Sequence, residues 1–220
     1  MVLKLYSAPE ARAGHGVVAL VLAEKQIPFE LVLIDQSAKQ HKTPEYLGKQ
    51  PWGQVPYIDD DGFVLYESRA IARYLAEKYA DQGTPLLPPP SDLQKKALFE
   101  QAASIEFANF HPLAFKLILE KVVKMMNGQP VDEVAVAGYI AELSSNLKIY
   151  DEILGKQKYV AGDELTLADL FHLSYAPSLA PFGIDVMTTA GLNVTRWWND
   201  LLSRSAWVEL QAQGIRGTSP

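Results

Sequence analysis

Two short polar segments of the chain combine residue types that could bind the ends of an extended peptide. In Gln54-Val55-Pro56 a proline directly precedes a predicted strand. A cis Val55–Pro56 bond would turn the Val55 backbone outward to pair with a peptide ligand, and a simple tight turn is the alternative. Glu67-Ser68 begins a predicted helix, where free N–H groups and the helix dipole favour a carboxylate. Ser68 is then either both cap and ligand, or only a helix cap.

The composition excludes several kinds of chemistry. The 220 residues include no cysteine, so any sulfur chemistry must come from a bound small molecule. The four histidines lack the spacing of a helical zinc motif, and we expect no metal. The net charge of −6 argues against a nucleic-acid partner. Because no stretch resembles a membrane span or a signal peptide, we expect a cytoplasmic protein without a membrane partner.

The predicted secondary structure changes at a proline-rich segment. Pro88-Pro89-Pro90 can continue neither a helix nor a central strand, and we place a linker at residues 82–90. The first domain, residues 1–81, mixes strands and helices in the order β-α-β, then β-β-α. The second domain, residues 91–220, shows only helical periods, the clearest of which runs from Val136 to Leu154.

Local signals define the elements of the first domain. Leu3 to Tyr6 predicts a strand, and the helix that follows should end at Pro28. Phe29 to Ile34 predicts a buried strand. Asp60-Asp61-Gly62 predicts the turn of a hairpin.

The helical domain contains a long apolar helix and a helix-start motif. The long helix is predicted over about residues 93–123, with a kink at Pro112 where a backbone hydrogen bond is lost. Thr166-Leu167-Ala168-Asp169 matches a capping box, and we interpret Asp169 as a helix start and nothing more. We expect most of the large side chains that project from the long helix to be core. They are Phe107, Phe110, His111, Phe115, Leu119 and Val123.

Taken together, these motifs resemble the glutathione transferase family, and within it the phi-like branch of plants and fungi. The resemblance covers nearly the whole chain. It is carried by Gln54-Val55-Pro56, Tyr66-Glu67-Ser68-Arg69-Ala70-Ile71, His41-Lys42, Ala161-Gly162-Asp163 and Thr166-Leu167-Ala168-Asp169. It implies a thioredoxin-like domain followed by an all-helical domain, a homodimer, and glutathione as substrate rather than a cofactor.

The resemblance also assigns binding residues. It implies that His41 and Lys42, otherwise solvated loop residues, reach the glycyl carboxylate of glutathione. The remaining positions that it assigns to glutathione are Gln54, Val55, Pro56, Glu67 and Ser68. An apolar site for the second substrate falls on the long helix, with Phe115, Leu119 and Val123 as its lining.

The chain departs from the family at the position that activates the sulfur. Phi-like enzymes place a serine near the first helix, and the matching residue is Ala11, whose side chain cannot donate a hydrogen bond. The candidates left are Ser7, the N–H groups of Arg12 and Ala13, and the Arg12 side chain; His15 either assists or packs. We therefore expect a slow glutathione transferase acting on small hydrophobic electrophiles. The alternative is a ligandin-like carrier that binds glutathione and hydrophobic ligands without catalysis.

A dinucleotide-binding enzyme is a further alternative. Gly14-His15-Gly16-Val17-Val18-Ala19 matches the dinucleotide fingerprint, with Asp35 at about the expected distance. However, the first strand ends near Tyr6, which leaves a gap that the tight phosphate turn does not allow. We expect no nicotinamide cofactor.

Overall fold

A computed structural model describes residues 2–218, which fall into two compact units. One unit contains the residues up to Leu87 together with those from Arg204 onward, and the other runs from Pro88 to Ser203. The first division lies inside the proline-rich segment 82–90. The return of the chain at Arg204 was not anticipated, because nothing in a local helical pattern says which unit the helix packs against.

The first unit contains a four-stranded sheet in the order β2-β1-β3-β4. The strands are β1 (Leu3–Ser7), β2 (Phe29–Leu33), β3 (Tyr57–Asp60) and β4 (Phe63–Tyr66). β1 pairs with β2 in parallel and with β3 antiparallel, and β3 and β4 form a hairpin. Asp61 and Gly62 both have positive φ, as a two-residue hairpin turn requires. The predicted thioredoxin-like order is confirmed.

Four α-helices accompany the sheet, three from the segment before Leu87 and one from the segment after Arg204. They are α1 (Ala13–Glu24), α2 (Pro44–Leu47), α3 (Ser68–Lys78) and α11 (Ser205–Gln213). α1 packs on α3 and on α11. Val18 and Leu22 of α1 and Ile71 and Leu75 of α3 are fully buried, which explains their helical spacing.

Two predictions about the first unit were wrong in detail. α1 ends at Glu24 rather than at Pro28, because Gln26 turns left-handed (φ 54°) and Ile27 N–H returns to the Leu22 carbonyl at 2.9 Å. β2 is not a buried strand: it is the edge of the sheet, and Leu33 is 57% exposed. A run of apolar residues does not reveal whether a strand has one neighbour or two.

A buried carboxylate fastens two distant segments to the end of α1. Glu24 accepts hydrogen bonds from Arg204 Nε and Nη2 at 2.6 and 2.7 Å, and from the Thr84 hydroxyl at 2.6 Å. Thr84 N–H also donates to the Glu24 carbonyl at 2.9 Å. The bidentate arginine geometry is the stronger kind of ion pair. The segment after α3 and the segment before α11 are therefore held at one point.

The second unit is helical throughout. Its α-helices are α4 (Leu93–Ile105), α5 (His111–Leu117), α6 (Lys124–Met126), α7 (Glu133–Leu154), α8 (Leu167–Leu170), α9 (Val186–Thr189) and α10 (Leu192–Leu202). Between α4 and α6 the long helix continues through two π-helical segments, Glu106–Phe110 and Ile118–Val123. The first segment ends two residues before Pro112, so the missing proline N–H falls close to a widened turn. The helix reaches Met126, beyond the predicted end.

Asp169 does more than start a helix, which corrects the sequence interpretation. The capping box forms, with Thr166 N–H donating to Asp169 Oδ2 at 2.9 Å. The other oxygen, Oδ1, accepts from Val160 N–H at 3.0 Å and from Trp197 Nε1 at 2.9 Å. Burial raises the pKa of Asp169 to about 6. One buried carboxyl group thus joins α8 to α10 and to the preceding loop.

Candidate functional site

The amino ends of α1 and α3 lie next to each other in the first unit. Gly14 is in the first turn of α1, and a Cβ added to it would lie 2.8 Å from the Ser68 hydroxyl oxygen. Glycine at this position therefore allows the start of α3 to approach α1 closely. Since the first turn of a helix has unpaired N–H groups and the positive end of the dipole, two such ends together favour anionic groups.

Glu67 and Ser68 stand at the start of α3 with their side chains available. Glu67 adopts φ 73° and ψ 110°, a strained conformation of the kind found at functional sites. Its side chain is exposed, and its carbonyl accepts the Ile71 N–H. Ser68 is the first helical residue and does not cap α3, contrary to one expectation. Its hydroxyl forms no hydrogen bond with any residue in the described range 2–218.

The Val55–Pro56 peptide bond is cis, which confirms the sequence prediction. Neither the N–H nor the C=O of Val55 forms a hydrogen bond within the part of the chain that the structure describes. Val55 is half-buried, whereas Pro56 is buried. An extended ligand could therefore pair with this backbone as an added strand would.

Two buried residues that the sequence analysis missed hold the residue before Val55. Gln50 Oε1 accepts the Gln54 N–H at 3.2 Å, and the Tyr46 hydroxyl donates to the Gln54 carbonyl at 2.6 Å. Burial raises the pKa of Tyr46 to about 12 and so keeps it a donor. The Gln54 side chain itself is exposed. In the sequence, the available signal for this support was a glutamine next to a proline, Gln50-Pro51.

His41 and Lys42 lie beside the same segment and are not simply solvated. Lys42 Nζ donates to the carbonyls of Gly53 and Trp52 at 2.7 and 3.3 Å. Gly53 has φ 58°, and a Cβ there would lie 2.7 Å from the His41 carbonyl oxygen. Burial and the neighbouring Lys42 charge lower the pKa of His41, whose Nδ1 is buried without a hydrogen-bond partner among the described residues.

The loop of residues 8–12, which connects β1 to α1, contains Ala11. Two of the candidates for sulfur activation are already hydrogen-bonded. The fully buried Ser7 donates its hydroxyl proton to the Ala8 carbonyl at 2.9 Å, and Arg12 N–H donates to the Glu10 carbonyl at 3.0 Å. The Arg12 guanidinium is exposed and lies 3.7 Å from the Glu10 carboxylate.

The first turn of α1 retains a free donor. Ala13 N–H donates to no residue within 2–218, and Ala13 adopts the left-handed φ of 52°. His15, two residues later in the same turn, is 7% exposed, and burial lowers its pKa to about 4. Its Nε2 is buried and has no hydrogen-bond partner in the described chain. The position of His15 is therefore that of a neutral packing residue.

In the second unit the apolar stripe of the long helix is mostly exposed, which contradicts the expectation of a core. Phe110 is buried, but Phe107 is 58% exposed. The three residues assigned to the second substrate are also exposed: Phe115, Leu119 and Val123. Tyr175 packs beside Phe115, with ring centroids 5.4 Å apart. Helical spacing predicts that residues share a face, but not what covers that face.

Residues 2–218 show neither a metal-binding cluster nor a membrane-spanning helix. No group of three or more His, Asp or Glu side chains in this range could hold a metal ion. None of the helices in it has both the length and the apolar character needed to cross a membrane.

The chain matches known proteins along both units. The family model of the glutathione S-transferase N-terminal domain matches residues 1–77, and that of the C-terminal domain matches residues 116–205. Glutathione S-transferase hmp2 of Hypomyces subiculosus is 43% identical over 97% of this chain and 99% of its own. Glutathione S-transferase F11 of Arabidopsis thaliana is 38% identical over 96% of this chain and 97% of its own.

Solved structures give the same answer. Glutathione transferase F7 of Populus trichocarpa superimposes with a TM-score of 0.90 at 34% identity, covering 96% of this chain and 99% of its own. Glutathione S-transferase I of maize, crystallised with an atrazine glutathione conjugate, gives a TM-score of 0.85 at 29% identity, covering 97% and 98%. The chain therefore belongs to the glutathione S-transferase family, in its phi-like branch of plants and fungi.

Proposed function

We propose that this protein conjugates glutathione, through its thiol sulfur, to small hydrophobic electrophiles. The observation that supports this most directly is that the Val55 backbone, next to the cis Pro56, has no hydrogen-bond partner within residues 2–218. The Ser68 hydroxyl, where the amino ends of α1 and α3 meet, likewise has no partner there. An extended tripeptide with charged ends matches such an arrangement. The family membership supports the same substrate.

Each part of glutathione has residues of suitable chemistry. The cysteinyl unit would pair with the Val55 N–H and C=O, next to the buried Pro56, as in strand addition. The γ-glutamyl end carries an ammonium and a carboxylate, which suit the exposed Glu67 side chain and the Ser68 hydroxyl at the start of α3. The glycyl carboxylate would meet His41, Lys42 and the exposed Gln54 side chain. Because Lys42 already donates to two carbonyls, its contribution would be a nearby positive charge.

Sulfur activation would depend on backbone donors rather than a hydroxyl. Ala11 has no donor on its side chain, and Ser7 uses its hydroxyl on Ala8. The N–H groups of Ala13 and of Glu10 in the 8–12 loop form no hydrogen bond within residues 2–218, and they and the Arg12 guanidinium are available to stabilise a thiolate. A helix amino end contributes about 0.3–2 kcal/mol, which lowers a thiol pKa of about 8.5 by at most roughly 1.5 units. We therefore expect slow conjugation at neutral pH.

The second substrate would bind the exposed apolar stripe of the second unit, with Phe115, Leu119 and Val123 as contacts. Their exposure supports this proposal, since large apolar side chains at a surface commonly mark a binding site. Glutathione as substrate needs no further cofactor. The homodimer, the cytoplasmic location and the domain limits of 1–81 and 91–220 stay predictions, and light scattering tests the first of them.

A carrier without catalysis is the second candidate, and Ala11 is the observation that favours it. The test combines calorimetric titration of glutathione with conjugation assays on 1-chloro-2,4-dinitrobenzene and several other electrophiles. Binding with turnover supports the transferase. Binding without turnover supports the carrier, and the absence of binding contradicts both.

A further inference from the structure

We infer that Gln211, near the end of α11, positions the 8–12 loop for binding the glutathione sulfur. This inference rests on the proposed function. Gln211 is distant in sequence from every residue discussed above as a site residue. Because it would act through the Ala11 backbone rather than touch glutathione, it is a positioning residue and not a catalytic one.

Two hydrogen bonds tie the 8–12 loop to the end of α11. Gln211 Nε2 donates to the Ala11 carbonyl at 2.9 Å, and Ile215 N–H donates to the Pro9 carbonyl at 2.8 Å. Gly214 adopts φ 70°, and a Cβ at this residue would lie 3.0 Å from the Pro9 oxygen. The C-terminal segment thus lies in close contact with alternate carbonyls of the loop.

These bonds fix the direction of the loop's N–H groups. In a planar trans peptide the C=O of one residue and the N–H of the next point in opposite directions. With the Pro9 carbonyl held by Ile215, the Glu10 N–H points away from the C-terminal segment, and it donates to no residue within 2–218. With the Ala11 carbonyl held by Gln211, the Arg12 N–H points away as well and reaches the Glu10 carbonyl.

A backbone held in this way matters because Ala11 has no side-chain hydroxyl to donate to the thiolate. Gly16 fixes the other side of the loop, since a Cβ there would lie 2.8 Å from the Ala11 carbonyl carbon. The loop is therefore confined between α1 and the C-terminal segment. Donors to a thiolate are effective only when their direction is set before the sulfur binds.

Gln211→Ala is the test, with Gln213→Ala as its matched control. Gln213 is on the same helix, but its amide donates to Glu209 and not to the loop. The expected loss in Gln211→Ala is about two- to tenfold in kcat with the KM for glutathione nearly unchanged, the size expected for one hydrogen bond. The ultraviolet thiolate signal of bound glutathione should titrate at a higher pH than in Gln213→Ala.

Hydrogen exchange of the amides in residues 8–13 gives a readout that does not require catalysis. Faster exchange there in Gln211→Ala than in Gln213→Ala supports positioning, even if the wild-type protein proves to be a carrier. Equal exchange and equal thiol titration in the two variants would overturn the inference. Absence of turnover in the wild-type protein would count against the proposed transferase function alone.

Discussion

Replacement of Ser68 by alanine should separate glutathione binding from folding stability. The Ser68 hydroxyl caps nothing and forms no hydrogen bond within the described chain, so its removal breaks no contact of the free protein. We expect the free energy of unfolding to change by less than about 0.5 kcal/mol. In the complex the hydroxyl would bind a carboxylate, and loss of that charge-assisted bond costs about 1.5–3 kcal/mol. The affinity for glutathione should fall about tenfold or more.

Asp132→Ala provides a control with the opposite signature. The Asp132 side chain accepts hydrogen bonds from Val134 and Ala135 N–H at 3.1 and 3.0 Å and caps α7. Its loss should cost about 1 kcal/mol of stability and leave glutathione affinity unchanged. Calorimetric titration with glutathione and thermal denaturation of both variants measure the two quantities. An equal loss of stability and affinity in Ser68→Ala would refute the assignment, because it would make the hydroxyl structural.

Three further predictions concern the sulfur, a buried histidine and a buried aspartate. Ala11→Ser should lower the thiol pKa of bound glutathione by about one unit or more, since a new hydroxyl donor adds about 1.5–3 kcal/mol; ultraviolet titration that gives the same pKa in both proteins would count against this. The pKa of His15 is lowered to about 4 in the folded state, so its stabilising contribution is present above pH 6.5 and is lost as the pH falls through about 4. Urea denaturation should show that His15→Gln removes up to about 3 kcal/mol of this pH dependence, and an unchanged profile would contradict it. Asp169→Asn should lower stability by about 2–4 kcal/mol, because buried donors lose their partner, whereas exposed Asp163→Asn should change it far less in thermal denaturation.

Motifs with a fixed backbone requirement were the part of the site that the sequence could predict. Val55-Pro56 and the Asp60-Asp61-Gly62 turn each constrain φ or ω through the residue type itself, and both were found as expected. The order of strands and helices along the first domain followed from the pattern of short apolar runs, but the order of the strands within the sheet was not predicted. The start of α3 at Glu67-Ser68 was also found, but the positive φ of Glu67 was not foreseeable from a residue type that rarely adopts it.

Contacts between distant segments could not be predicted from local patterns. The four donors on Asp169 and the bond from Gln211 to Ala11 depend on where helices pack, which a single sequence does not record. The prediction that Phe107 and Phe115 belong to the core was wrong for a related reason. A helical stripe of apolar residues has the same sequence pattern whether it faces a core or a ligand. Sequence patterns report on neighbouring residues, whereas these contacts join residues far apart in the chain.

The ion pair between Glu24 and Arg204 has a consequence for the order in which parts of the first unit fold during synthesis. Its partners are separated by 180 residues, and the bond from Gln211 to Ala11 spans 200. Contacts of such long range carry a large loop-closure cost and form late. A chain emerging from the ribosome can form the sheet early, yet the 8–12 loop lacks its outer support until Gln211 and Ile215 have emerged. The segment proposed to bind the sulfur would thus be the last part of the first unit to reach its native form during synthesis.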